Sequence, residues 1–217
     1  MNFHLTVSHI YKSYNGNQVL EDCSFSFDKS GIYILMGPNG SGKSTLLRIC
    51  ALIEDPDKGE INYLSGGSVL KKDIELRRKI TLVLPRIGVF NTTVFKNIAY
   101  GLKIRGITGN EVKDRTYKAL ECVGLMHKRE QNALTLSSGE TQRLGIARAT
   151  VLEPEILFLD EPTAFVDAKS KKIIEDNILR MKNNGHSIVI ITTHDRAQAE
   201  RLGDQLLLIG DGKIISS

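Results

Sequence analysis

Tryptophan is absent from this chain, and the other aromatics are few: seven phenylalanines and six tyrosines in 217 residues. They are not interleaved with basic residues, so the aromatic and cationic platform on which single-stranded nucleic acid stacks is missing. Cysteine is scarce as well. Cys23, Cys50 and Cys122 are odd in number, far apart and without a C-x-x-C pair, which excludes a disulfide scaffold and a cysteine zinc site. The thiols read as buried groups in a reducing compartment. No apolar run approaches the ~20 residues of a membrane span. The opening stretch Met1–Val7 alternates like a strand and lacks the basic start and apolar centre of an export signal. Excess charge is lacking too. The net +4 is small against 29 basic and 25 acidic residues, and the basic clusters at Lys71-Lys72, Arg77–Lys79 and Lys169–Lys172 have acidic neighbours. They read as solvated faces, and no nucleic acid is expected as a partner. With no internal repeat and no low-complexity linker, the chain is expected to form one globular unit, in the cytosol or held at a membrane only through a partner.

What is present is a phosphate-loop motif. Gly37-Pro38-Asn39-Gly40-Ser41-Gly42-Lys43-Ser44-Thr45 satisfies G-x-x-x-x-G-K-[ST] at every fixed position. The apolar stretch Ile32–Met36 runs into it, and Leu46, Leu47 and Ile49 leave it at helical spacing. A strand that turns through glycines into a helix lets backbone N–H groups close around phosphate oxygens and adds the positive end of the helix dipole. Lys43 supplies a mobile charge for the β- and γ-phosphates, and the Ser44 hydroxyl is a candidate Mg²⁺ ligand.

Before the loop, Leu5, Val7, Val19-Leu20, Cys23, Phe25 and Phe27 predict short strands, with a hairpin at Asn15-Gly16. After it, a helix of about one dozen residues is expected, then strands at 60–64 and 80–84 on either side of further turns. From Val94 to Val123 the spacing turns helical, with Gly106 and Gly109 dividing two helices, and a third starts near Ser137. A strand at 156–159, a helix at 168–183 and strands at 187–192 and 205–209 complete the chain. Strands alternating with helices predict an α/β fold with a largely parallel sheet covered on both faces.

Strand 156–159 ends in Asp160-Glu161, at the carboxyl end where open α/β sheets bind ligands. Asp160 suits Mg²⁺, through water, and Glu161 stands where a carboxylate polarises an attacking water. Ser137-Ser138-Gly139-Glu140 has the S-x-x-E spacing of a capping box at a helix start.

In this order the motifs resemble the nucleotide-binding subunit of ABC transporters over essentially the whole chain, closest to ATPases of tungstate and molybdate importers in the segment Phe90–Gly106. The resemblance implies one ABC-type P-loop ATPase domain over 1–217. A nucleotide-binding core with an antiparallel β subdomain would span about 1–84 and 152–217. A helical subdomain carrying the signature motif would span about 85–151. It implies that Ser137, Ser138, Gly139 and Glu140 meet the γ-phosphate of ATP bound by the Gly37–Thr45 loop of a second subunit, in a homodimer or with a related ATPase. It implies that Tyr14 stacks on adenine, that Lys43, Glu161 and His194 act in catalysis with ATP and Mg²⁺, and that Asp167 lies at the seam. Expected partners are transmembrane permease subunits and a solute-binding protein, at the cytoplasmic face of the membrane. A soluble or regulatory ABC-type ATPase with weakened hydrolysis is the alternative.

Three positions depart from the family's pattern. Pro85, or Arg86 with a one-residue gap, stands where the family has a glutamine that touches Mg²⁺ and water. Proline has neither a side-chain oxygen nor an N–H, and arginine cannot ligate a cation. Ser138 replaces the first signature glycine, and Phe165 replaces a small or polar residue at the seam, where a phenyl group clashes or tightens the contact. Retained ATP binding with slowed hydrolysis is expected.

Overall fold

In the computed structural model of the chain, which describes residues 3–183 and 187–216, the opening alternation becomes a long hairpin of β1 (Phe3–Tyr14) and β2 (Asn17–Phe27). Tyr14 pairs with Asn17 around Asn15 and Gly16, at φ 50° and 81°. Two successive left-handed residues give a tight turn that matches strand twist. The strands are longer than the short segments expected. Register shifts between Val7 and Ile10, Ile10 and Lys12, and Lys12 and Ser13 break the alternation that marks a single strand. β4 (Lys58–Ser65) pairs antiparallel with β1, and β5 (Ser68–Val69) with β4, giving a sheet in the order β2-β1-β4-β5.

The second sheet runs β10 (Lys213–Ser216), β9 (Gln205–Gly210), β3 (Gly31–Met36), β8 (Ile188–Thr193), β7 (Ile156–Asp160), β6 (Ile80–Val83). Its pairings are parallel except β10 on β9. β7 and β8 are buried at every residue, as continuous apolar runs covered on both faces require. On one face lie the antiparallel sheet and α1 (Lys43–Cys50), joined by Leu5, Leu20, Leu46, Tyr63, Phe158 and Ile190. On the other lie α5 (Ser138–Thr150), α6 (Ala168–Asn183) and α7 (Arg196–Leu202). A third cluster joins α3 (Val94–Ile104), α4 (Gly109–Cys122) and α5. Each fully buried aliphatic side chain contributes about 1.5–3 kcal/mol before conformational entropy is charged against it.

α1 has eight residues where about a dozen were expected, because the chain turns at Leu52, in left-handed conformation at φ 58°, ahead of Asp55-Pro56. α2 (Ile74–Arg78), α7, β5 and β10 were not anticipated; they are too short to display a period. The expectation of buried thiols holds for Cys23 and Cys50 but fails for Cys122, which is exposed at the end of α4. Burial pushes the Cys23 thiol up to about 11, which leaves it inert at neutral pH.

Candidate functional site

The phosphate loop leaves β3 where Met36 pairs with Thr193 of β8 and Leu208 of β9. Gly37 permits the next step: a Cβ there would lie 2.2 Å from the Ile209 carbonyl oxygen. Gly42, at φ 95°, starts α1 where a Cβ would stand 2.7 Å from the Val19 carbonyl, so β2 backs directly onto the loop. No side chain caps the start of α1, and its first turn holds no acid. The N–H groups there keep their capacity for an anion. Lys43 is 5% exposed, and its Nζ donates to the carbonyls of Gly37 and Pro38, each at 2.8 Å. The Ser41 hydroxyl is buried without a hydrogen-bond partner. Pro38, Asn39 and Gly40 form the exposed rim, and Ser44 is half-buried. A buried ammonium satisfied only by carbonyls, with an orphaned hydroxyl and uncapped N–H groups, is a cradle suited to phosphate oxygens.

The acidic end lies on the neighbouring strands. Leu35, Thr192 and Asp160 occupy one cross-strand row of β3, β8 and β7. Asp160 is 2% exposed, and its Oδ1 accepts the Thr192 hydroxyl at 2.6 Å. The same hydroxyl accepts the Glu161 N–H at 2.9 Å, and the Thr192 carbonyl accepts it at 3.2 Å. Glu161 takes a left-handed backbone, φ 45°, that turns its carboxylate toward His194, with Oε2 and Nδ1 at 3.4 Å. A cleft of about 220 Å³ opens here, lined by Glu161, Phe165, Thr193 and His194. The other nearby acid is committed elsewhere. The Lys171 ammonium, 2.5 Å from Asp195, holds that carboxyl below its usual range, and Asp195 also caps α7. Two buried glutamines fix the loop after Glu161: Gln142 donates to the Pro162 carbonyl at 3.1 Å, and Gln198 to the Thr163 hydroxyl at 2.7 Å.

Ser137–Glu140 form the capping box that their spacing predicted. Glu140 N–H donates to Ser137 Oγ at 3.3 Å, and Ser137 N–H to Glu140 Oε2 at 3.0 Å. A bond from Lys128, 2.7 Å away, holds the Glu140 carboxyl below its ordinary range. Ser137 and Ser138 are exposed, whereas Gly139 packs so closely that a Cβ would meet Asp167 Oδ2 and Ser170 Oγ at 2.6 Å. Asp167 in turn caps α6 through the Ser170 N–H and hydroxyl. Among the described residues, no hydrogen bond or ion pair joins Ser137–Glu140 to Gly37–Thr45 within this chain. Tyr14 stands at the end of β1, 38% exposed.

A family profile described as ABC transporter matches residues 20–164. The chain belongs to the ABC transporter family. It is 37% identical over 210 residues to the tungstate uptake ATP-binding protein TupC of Peptoclostridium acidaminophilum, covering 97% of this chain and 96% of that one. It is 34% identical over 226 residues to the phosphate import ATP-binding protein PstB 2 of Natronomonas pharaonis, covering 98% and 79%. Among solved structures it resembles cbiO1 from Clostridium perfringens, part of the ABC transporter complex cbiONQ, with a TM-score of 0.84 and 26% identity over 99% of this chain and 88% of the other. As an ABC protein the chain is an ATP-binding, ATP-hydrolysing transporter subunit. Among its described residues no helix is long and apolar enough to cross a membrane.

The segment after β6 holds the two candidates for the missing glutamine. Pro85 is half-buried and Arg86 exposed. Beyond them the loop is clamped to the helices. Ile87 fills the notch left by Gly145 of α5, where a Cβ would lie 1.9 Å from Ile87 Cδ1. Arg148 donates to the Gly88 carbonyl at 2.7 Å and lies 4.9 Å from the Phe90 ring centroid. Asn97 bonds both the N–H and the carbonyl of Phe90. A cleft of about 360 Å³ opens beside this clamp, between β6, α3 and α5. Phe165 is 89% exposed and left-handed, φ 62°. Sequence reasoning missed Thr192, Gln142, Gln198, Gly145 and Ile87. Only Gly145, a glycine inside a helix, carried a local sign of its packing role.

Proposed function

We propose that two copies of this chain, or this chain and a close relative, close head-to-tail around two molecules of Mg-ATP. Each nucleotide then lies between Gly37–Thr45 of one subunit and Ser137–Glu140 of the other, with Tyr14 against the base. The observation that carries this is the grouping of the phosphate cradle, Asp160 and the Glu161–His194 pair at the carboxyl ends of β3, β7 and β8, while the capped tip of α5 stays exposed and unattached to it. Lys43 leaves its carbonyls for the phosphates. Glu161 and His194 orient the attacking water, and electrostatic stabilisation supplies most of the acceleration. Mg²⁺, held by Ser44, Asp160 and the phosphates, would neutralise charge on the phosphoryl group; an oxygen donor set of this kind suits it. Closure excludes water from the site.

The cleft beside Pro85-Arg86 and the helical layer 94–136 would pass the motion to permease subunits at the cytoplasmic face of the membrane, supplied by a solute-binding protein. The near end-to-end match to TupC supports tungstate or a related oxyanion as the transported solute. The test of the engine is Glu161→Gln with saturating Mg-ATP, followed by sedimentation: a stable ATP-bound dimer without hydrolysis is expected. A strictly monomeric, or fully active, variant refutes it. The test of the solute is uptake in vesicles carrying the complete transporter, with tungstate, molybdate, phosphate and sulfate in competition.

A further inference from the structure

Tyr14 is not free to choose its orientation. Its hydroxyl donates to Glu54 Oε1 and accepts from Arg48 Nη2 at 3.2 Å. Arg48 Nε closes the triangle on Glu54 Oε2 at 3.0 Å. The turn that carries Glu54 is itself fastened to the end of β1. Lys12 Nζ donates to the Asp55 carbonyl at 2.8 Å and lies 3.2 Å from Asp57 Oδ1; Ser13 N–H donates to Asp57 Oδ2 at 2.7 Å. Arg48 belongs to α1, one turn beyond the phosphate loop, and its Nη2 also donates to Thr45 Oγ1 at 3.2 Å. Guanidinium offers donors only, so Thr45 Oγ1 is the acceptor in that bond and keeps its own proton for another partner.

We propose that Glu54 and Arg48 are positioning residues for the nucleotide: Glu54 fixes the Tyr14 ring through its hydroxyl, and Arg48 joins that hydroxyl to Thr45, so that the base end and the phosphate end of the site are set as one rigid unit. This rests on the reading of Tyr14 as the ring that meets the base. Burial alone would raise the Glu54 carboxyl, but the bonds from Tyr14, Arg48 and Lys12 outweigh it and hold it below its usual range, so the acceptor stays charged at neutral pH. A pre-ordered ring is worth affinity because its side-chain freedom is spent before the ligand arrives.

The experiment is calorimetric titration of the full chain with ATP and, separately, with inorganic tripolyphosphate, which has no base. Glu54→Ala is expected to weaken ATP about tenfold, of the order of one charge-assisted hydrogen bond, and tripolyphosphate less than about twofold. Tyr14→Phe, which keeps the ring and leaves the turn undisturbed, is expected to do the same, and the double variant to lose no more than either single one. Glu54→Gln, which keeps an acceptor for the hydroxyl, recovers part of the loss. Arg48→Met weakens both ligands, since it touches both ends. For the Glu54 and Tyr14 variants, retained tripolyphosphate binding shows that the fold survives. Equal losses for both ligands in Glu54→Ala, or additive losses in the double variant, overturn the proposal. If Tyr14→Ala weakens ATP while Glu54→Ala does not, the positioning role alone is refuted. If Tyr14→Ala has no effect, the stacking role of Tyr14 is refuted and this proposal with it.

Discussion

Replacing Thr192 by valine removes one hydroxyl and almost no volume, and it strikes both carboxylate residues of the site at once. Thr192 is fully buried in β8, so no cavity opens, no water takes the hydroxyl's place, and strand preference is unchanged. The donor to Asp160 Oδ1, at 2.6 Å, disappears. Hydrogen bonds to charged groups contribute about 1.5–3 kcal/mol when their loss leaves the ion buried. The Glu161 N–H loses its better acceptor but keeps the Thr192 carbonyl at 3.2 Å, which limits that loss to roughly 0.5–1 kcal/mol. Together these predict destabilisation of about 2–4 kcal/mol, read as a lowered midpoint in urea with an unchanged slope. Catalysis should suffer separately. Glu161 holds a left-handed backbone at φ 45°, a conformation that costs a non-glycine residue about 1–2 kcal/mol. With that anchor reduced to the longer bond the residue is free to relax, and the 3.4 Å relation to His194 is loosened. Turnover is expected to fall roughly ten- to a hundredfold, while metal-free nucleotide binding, which depends on the phosphate loop, persists. Thr192→Ser is the control: it keeps the hydroxyl, gives up a methyl group worth about 1 kcal/mol, and should turn over ATP at close to the parental rate. A valine variant within about 0.5 kcal/mol of the parent and equally active would refute the reasoning, as would a serine variant as damaged as the valine one.

Three further outcomes are expected. Gly145→Ala drives a methyl group into Ile87; overpacking of about 1–3 kcal/mol, offset by about 1 kcal/mol of helix propensity, should leave a net loss in urea melts that Ile87→Ala in the same chain converts to a gain, and additive effects would count against the notch. Phe165→Asn should stabilise the isolated chain by about 1 kcal/mol, because the ring is 89% exposed and buries little while its backbone is left-handed; an unchanged midpoint would show that the conformation carries no strain. Glutamine installed at 85, and separately at 86, should raise steady-state ATP turnover by restoring an oxygen ligand, and no gain in either variant would count against the expected loss of that ligand.

The parts of the site that were legible in the sequence are those whose chemistry is local. Gly37–Thr45, Asp160-Glu161 and His194 each sit at a strand end marked by an apolar run, and the parallel order of β3, β7 and β8 brings them together. Their supports were not legible, because each acts across the fold. Gln142 reaches Pro162 twenty residues on, and Arg148 reaches Gly88 sixty residues back. Thr192 looks like any strand threonine until cross-strand register sets it between Leu35 and Asp160. Glu54 and Arg48 read as ordinary surface charges until the hairpin folds Tyr14 over them.

Gly139 and its neighbours show how the same logic sorts the departures from the family pattern. A Cβ at Gly139 would strike the Asp167–Ser170 cap at 2.6 Å, so this chain's own packing holds that position to glycine whatever the nucleotide requires. Ser138, Arg86 and Phe165, in contrast, are all exposed, and the only cost within the subunit is the left-handed backbone of Phe165. Gly139 is thus fixed by packing within the subunit, while Ser138, Arg86 and Phe165 lie on its surface and Pro85 is half-buried. Altering Ser138 or Arg86 should therefore leave the stability of the isolated subunit within about 0.5 kcal/mol of the parent, as expected for surface positions. If two subunits close around ATP as proposed, their consequences belong to that assembled state, and the comparison that exposes them is between subunit stability and dimer affinity in the same variants.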